Sequence, residues 1–106
     1  MATYEDFQKL DLRIAEVKGV REHPNADRLL LLDILIGEKE RQIVAGIRAS
    51  YSRDDLVGKK IVVIENLEPA VIRGEESHGM LLAASSEAGP VVLIPEKDVP
   101  SGSQVK

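Results

Sequence analysis

The sequence contains no cysteine and no tryptophan, and its only aromatic residues are Tyr4, Phe7 and Tyr51. Without thiolates there can be neither a disulfide framework nor a soft-ligand metal site. Small secreted domains usually carry disulfides, so zero cysteines favour a cytoplasmic protein. The few aromatic rings also bear on which ligands the chain could bind.

Long apolar runs are missing as well. The run at residues 29 to 32 ends at Asp33, and the longest, at residues 80 to 84, has five residues, far short of the roughly 20 apolar residues of a membrane helix. No basic start followed by an apolar stretch indicates a signal peptide. These absences predict a cytoplasmic protein without membrane association.

An excess of positive charge is the third absence, since the net charge is −4. A generic nucleic-acid binder would be basic. From residue 13 to residue 73, however, eleven Lys and Arg stand against ten Asp and Glu, whereas from 75 to 106 the ratio is two against five. Any RNA would therefore bind a local patch, with the acidic remainder facing elsewhere.

Catalytic signatures are absent too. The chain has no GxSxG, P-loop or GxGxxG motif, which removes the usual scaffolds for acyl transfer, phosphoryl transfer and dinucleotide binding. Its two histidines, His23 and His78, are interpreted as solvated loop residues. Asp54 and Asp55 are interpreted as surface charges near a helix start. We therefore expect a non-catalytic binding module without a metal or cofactor.

The residues that are present predict one folded domain over 1–106. Of these residues, 43% are hydrophobic and 30% charged, which is typical of a globular chain. Thr3 and Ser52 are candidate caps of two short helices. Strands are predicted, from residue periodicity and β-branched content, over residues 10–20, 29–37, 41–47, 59–67, 80–85 and 91–95, with 68–78 as a connection.

The order of these elements predicts the fold. Three strands, a short helix and two further strands, with a bent or bulged first strand, match an all-β, five-stranded Greek-key barrel of the oligonucleotide-binding (OB) type. The short helix lies between strands three and four. Small extensions are expected at both termini.

The predicted barrel suggests a class of ligand. Such barrels bind oligonucleotides on strands two and three and on the loops around them, and single-strand binders place aromatic rings there. With three aromatic residues, recognition of RNA by backbone and shape is better supported than base stacking. The candidate phosphate contacts are Lys18, Arg21, Arg28, Arg41, Arg48 and Arg73.

Three segments together resemble a known family. HPNADRL (23–29), IVAGI (43–47) and NLEPAVIRGEESHGMLLAAS (66–85) look like the tRNA-binding domain appended to methionyl-tRNA synthetases and found in free-standing structure-specific tRNA-binding proteins. The resemblance covers nearly the whole chain. It implies an OB barrel that binds the outer corner of folded tRNA without choosing among tRNAs, and that assists a synthetase in cis or in trans.

The resemblance also implies site residues. It places Asn25 and Arg28 in the first segment and Arg73, Ser77, Gly79 and Met80 in the third, while His78 receives no role. Arg73 and Ser77 would face phosphate or ribose, Gly79 would allow close backbone approach, and Met80 would lie on the RNA or in the core. The RNA-binding prediction comprises Asn25, Arg28, Arg48, Arg73, Ser77, Gly79 and Met80.

Other interpretations remain open at the sequence level. Bacterial relatives are similar to homodimers joined through their C-terminal part, where this chain has the apolar VVLIP (91–95) and Val99; VVLIP could instead close the barrel. The module also resembles chaperone-like bacterial proteins that bind protein. An architectural role, docking a synthetase to a partner through an acidic face, is a further alternative.

Overall fold

The computed structural model describes all residues from Met1 to Lys106. Strands dominate, and both helices are short. The elements, in chain order, are α1 (Tyr4–Gln8), β1 (Leu12–Glu22), β2 (Leu30–Ile36), β3 (Lys39–Ala45), α2 (Arg53–Leu56), β4 (Lys60–Ile64), β5 (Ala70–Ile72), β6 (Glu75–Ser77), β7 (Met80–Leu81), β8 (Ala83–Ser86), β9 (Gly89–Val92) and β10 (Gln104–Val105).

Both predicted helix caps are present. The Thr3 hydroxyl accepts the Asp6 N–H at 3.1 Å, and the Asp6 carboxylate accepts the Thr3 N–H at 3.1 Å. At α2 the Asp55 carboxylate completes one half of such a box, because it accepts the Ser52 N–H at 2.8 Å, and it also accepts from the Ser52 hydroxyl at 3.0 Å. These hydrogen bonds satisfy amide groups that a short helix leaves without a partner.

The long strand β1 organises the sheet, whose main order is β3-β2-β1-β4-β7. It pairs with β2 through one half and with β4 and β10 through the other. Its register against β2 shifts between Val17 and Gly19. This bulge is the predicted irregularity, and it bends β1 so that it can serve both sides of a curled sheet.

The sheet curls until its two ends meet. The His78 N–H, just before β7, donates to the Gln42 carbonyl of β3 at 2.8 Å. Leu56 of α2 is 1% exposed. The result is an all-β, OB-like barrel with the short helix between β3 and β4, as predicted. Fifteen buried residues form the core: Ala15, Val17, Val20, Leu30, Leu32, Ile34, Ile36, Ile43, Ala45, Ile47, Leu56, Ile61, Val63, Leu81 and Val92.

Two parts of the predicted layout were wrong. The segment predicted as a connection, 68–78, contains an antiparallel hairpin of β5 and β6. Its turn is Arg73-Gly74, with φ of 54° and 89°, as a two-residue hairpin turn requires. The predicted fifth strand divides into β7, which pairs with β4, and β8, which pairs with β9.

Candidate nucleic-acid interface

The loop between β1 and β2, residues 23 to 29, is the centre of the candidate interface. Its ends are closed by the His23 N–H, which donates to the Leu29 carbonyl at 3.1 Å. The side chain of Arg28 is exposed and makes no hydrogen bond or salt bridge. The guanidinium of Arg28 is therefore free to bind a phosphate.

The β5–β6 hairpin is fastened to this loop. Arg73 donates from Nη2 to the Asn25 carbonyl at 3.0 Å, and the His23 Nε2 lies 3.1 Å from the Ile72 carbonyl. His23 Nδ1 accepts the Asn25 N–H at 3.0 Å, so the ring proton sits on Nε2 and donates to Ile72. Arg73 uses one of its five N–H groups here, and its side chain remains exposed.

A third arginine meets the loop from the segment after β3. The Arg48 guanidinium contacts the Ala26 carbonyl at 3.4 Å and the Glu22 carboxylate at 2.5 Å. The Arg48 N–H also donates to the Arg28 carbonyl at 3.3 Å. The fold thus brings together four of the seven predicted RNA-binding residues: Asn25, Arg28, Arg48 and Arg73.

Ser77 and Gly79 occupy different positions from those expected. Ser77 is 2% exposed; its hydroxyl accepts the Val44 N–H at 2.9 Å and donates to the Gly79 carbonyl at 3.0 Å. A Cβ on Gly79 would lie 2.6 Å from the Ile64 carbonyl oxygen. Ser77 joins β6 to β3 through Val44, and Gly79 lies against β4 at Ile64, so both residues contribute to closure of the barrel. The expectation that Ser77 faces RNA does not agree with its burial.

The sequence left open whether Met80 lies on the RNA or in the core, and its burial is intermediate between these two positions. It pairs with Ile64 in the β4–β7 ladder and is half-buried. It is not among the fifteen core residues. Part of its side chain is therefore available at the surface.

Comparison with known proteins places this geometry in a family. The model of the family described as "Putative tRNA binding domain" matches residues 12–104. The chain belongs to this family.

Three proteins illustrate what this chain is similar to. The methionine–tRNA ligase of Thermococcus onnurineus is 46% identical over 103 residues, which is 97% of this chain but 14% of that protein. The chain therefore spans about one-seventh of that relative. A MetRS related protein from Pyrococcus horikoshii is 31% identical, with a TM-score of 0.93 over 100% of this chain and 98% of that one. The chaperone CsaA from Bacillus anthracis is 33% identical, with a TM-score of 0.91 over 100% and 99%.

Some Lys and Arg side chains of this domain are paired with carboxylates, and others are not. Seven of the fourteen Lys and Arg lie in salt bridges. Among the predicted phosphate contacts on the strands, Lys18 pairs with Glu16 at 3.4 Å and Arg21 with Asp33 at 3.2 Å. The other predicted strand residue, Arg41, donates to a backbone carbonyl. The strand face is thus largely neutralised, and the loop at 23–29 holds the freer arginines.

Carboxylates at the barrel surface serve structure. Hydrogen bonds from the Ser52 N–H and hydroxyl hold the pKa of Asp55 below its ordinary value of 3.8. The Lys60 ammonium, 2.7 Å away, lowers the pKa of Asp98 in the same sense. No group of three or more His, Cys, Asp or Glu is arranged to hold a metal ion, and no helix is long and apolar enough to cross a membrane.

Two residues near the site had no predicted role. His23 was expected to be a solvated loop residue, yet it is 3% exposed and positions both the loop and the hairpin; its place before Pro24 was the only local signal. Tyr51 is anchored through its hydroxyl, which accepts the Val92 N–H at 2.9 Å. Its ring borders a cavity beside the loop.

Proposed function

We propose that this chain is a non-catalytic module that binds the outer corner of folded tRNA by shape and backbone, without choosing among tRNAs. It would assist an aminoacyl-tRNA synthetase, most directly methionyl-tRNA synthetase, in cis or in trans in the cytoplasm. The observation that carries the proposal is the meeting of Arg28, Arg48 and Arg73 at one loop. Membership of the tRNA-binding family supports the choice of RNA.

The chemistry of these arginines suits a phosphate backbone, although the salt bridge with Glu22 partly neutralises Arg48. Guanidinium groups offer paired donors that match phosphate oxygens, and they remain charged at all relevant pH values. Phosphate contacts fix position and carry no direct sequence information. A site built on them should therefore bind different tRNAs with similar affinity.

A salt-series titration tests this proposal. Folded tRNA should bind more tightly than an unstructured RNA of equal length. Arg28→Ala should weaken all tRNAs about equally and reduce the salt slope by about one. Lys39→Ala is the matched control, since Lys39 lies on β3 in a salt bridge with Glu65. Equal binding of both RNAs, or an Arg28 variant that loses one tRNA and keeps another, would contradict shape recognition.

Assistance to a synthetase can be measured separately. Adding the chain to a methionyl-tRNA synthetase catalytic fragment at low tRNA concentration should lower KM for tRNA and leave kcat unchanged. The physical reason is that extra phosphate contacts far from the reacting groups contribute uniform binding. No effect on KM would refute the assisting role while leaving tRNA binding intact.

A homodimer through the C-terminal segment is part of the proposal. Val91, Leu93 and Ile94 are 49%, 41% and 59% exposed, whereas Val92 points into the core. Three apolar side chains of the segment 91–95 thus remain without cover, which supports an interface between copies of the chain there. Two linked barrels would also gain avidity for one tRNA.

The mass in solution tests the dimer. Ile94→Lys should convert a dimer into a monomer over a concentration series. Val71→Lys is the matched control, because Val71 is 69% exposed on the β5–β6 hairpin, outside this segment. A monomeric parent protein, or a dimer unaffected by Ile94→Lys, would exclude this interface.

A chaperone-like function is the second candidate. The likeness to CsaA over the full length of both chains favours it. Such a function would use apolar surface to hold unfolded protein, independently of Arg28 and Arg73. Suppression of aggregation that survives Arg28→Ala and Arg73→Ala together, with no preference for folded tRNA, would move this candidate to the front.

A further inference from the structure

We propose that the cavity beside residues 48 to 53 receives one unpaired nucleotide of the bound RNA, with its base on the ring of Tyr51 and its phosphate at Arg53. This inference rests on the proposed tRNA-binding function. It adds a single site of base contact to an interface otherwise built on phosphates.

The cavity has the size and lining that such a ligand needs. Its volume is about 660 Å³, and its walls include Val20, Leu30, Tyr51, Arg48 and Arg53. Binding cavities for small organic ligands measure about 300–1,000 Å³ and combine apolar surface with a few placed polar groups. Here Val20 and Leu30 supply the apolar surface, and the two arginines supply charge.

The ring of Tyr51 is held in place before any ligand arrives. Its hydroxyl accepts the Val92 N–H at 2.9 Å, and its body packs against the core. It has no aromatic partner, because the one ring pair in the molecule joins Tyr4 and Phe7. A fixed ring with no stacking partner at a cavity is a platform on which any base can stack.

The charges assign the phosphate to Arg53. Arg48 is already paired with the Glu22 carboxylate at 2.5 Å, and that carboxylate would repel a phosphate at the same edge. Arg53 has no salt bridge. The nearby Asp55 carboxylate is engaged by the Ser52 N–H at 2.8 Å. Arg53 is thus the cation in this cavity that remains free.

The cavity adjoins the loop at 23–29, since Glu22 and Leu30 on either side of the loop line it. Arg48 lines the cavity and also bonds to the Ala26 carbonyl of the loop. We expect an RNA strand whose phosphates lie on Arg28 to reach the cavity along Arg48. Bases of loops and bulges, unlike paired bases, can be splayed out and stacked on a protein ring.

Affinity for tRNA tests the site through four variants. Tyr51→Leu should weaken binding by about fivefold to 150-fold, and Arg53→Gln should weaken it and lower the salt slope by about one. Tyr51→Phe keeps the ring and loses the bond to Val92, so it should retain most of the affinity. Lys59→Gln is the matched control: Lys59 is also without a salt bridge but does not line this cavity, and its loss should change affinity less than twofold.

A single-tyrosine protein gives a second readout. In Tyr4→Phe the only tyrosine is Tyr51, so 3-fluorotyrosine labelling yields one fluorine signal from the cavity. That signal should shift with tRNA and stay in place with inorganic phosphate at equal ionic strength. No shift with tRNA, an unaffected Tyr51→Leu, or a Tyr51→Phe that loses as much as Tyr51→Leu would each overturn the inference. If Arg28→Ala still weakens tRNA binding in that case, the proposed function stands without the nucleotide site.

Discussion

Replacement of Gly79 by Ala is the sharpest test of how the barrel closes. Gly79 has a φ of 114°, and an added Cβ would lie 2.6 Å from the Ile64 carbonyl oxygen. A non-glycine residue in such a backbone region costs about 1–3 kcal/mol. The contact cannot be relieved by a rotamer change, because Ile64 pairs with Met80 in the β4–β7 ladder. Overpacking of this kind costs about 1–3 kcal/mol more.

The two penalties together predict a loss of about 2–6 kcal/mol, against a total free energy of unfolding of about 5–15 kcal/mol for such a domain. Urea denaturation measures the loss. Gly58→Ala is the matched control, since Gly58 has a φ of 88° and nothing within 4 Å of an added Cβ. The control isolates the backbone penalty, and the difference between the two variants isolates the contact with β4.

A tRNA titration of Gly79→Ala, at a temperature where it remains folded, completes the test. Affinity should stay within twofold of the parent, because Gly79 is buried and faces protein. A Gly79→Ala protein as stable as Gly58→Ala would refute the account of barrel closure. Normal stability combined with lost tRNA binding would instead indicate that Gly79 contacts RNA.

Three further results are expected. Ser77→Ala should lower the free energy of unfolding by about 1–3 kcal/mol, because the buried Val44 N–H loses its partner; an unchanged urea midpoint would contradict this. His23→Phe keeps a ring but loses two hydrogen bonds, so it should lower both stability and tRNA affinity, and a variant that matches the parent in both would remove His23 as a positioning residue. Because the pKa of Asp98 is lowered by Lys60, its stabilisation is present above pH 3.8 and lost as pH falls through the lowered pKa; an NMR titration of Lys60→Met should return the midpoint towards 3.8.

Much of the fold was predictable because its signals are local. The capping interactions at Thr3 and Ser52 depend on side chains three residues apart. The apolar–polar alternation of β1 slips at Ala15 and Glu16, a few residues before the register shift between Val17 and Gly19. Strand order then followed from the sequence of elements, since an OB barrel has few competing topologies of this length.

The β5–β6 hairpin and the roles of Ser77 and Gly79 could not be predicted from local sequence signals. A two-residue turn with positive φ at both positions usually carries Asn-Gly or Asp-Gly, and Arg73 at φ 54° conceals it. The burial of Ser77 depends on Val44, which is 33 residues away in the chain. Local patterns cannot register a contact that exists only after the barrel closes.

The proposed interface also explains how an acidic chain could bind a polyanion. The net charge of −4 averages over cations that are already paired and over acidic residues outside the loop at 23–29. The charge that RNA would contact is the local charge of the interface. Arg28 and Arg53 form no salt bridge, and Arg73 keeps unused N–H donors. Arg48 is partly neutralised by Glu22. The salt slope should therefore reflect about three phosphate contacts per protomer. A dimer that engages one tRNA with both loops should double that slope, whereas diffuse binding by all fourteen cations would give a much steeper one.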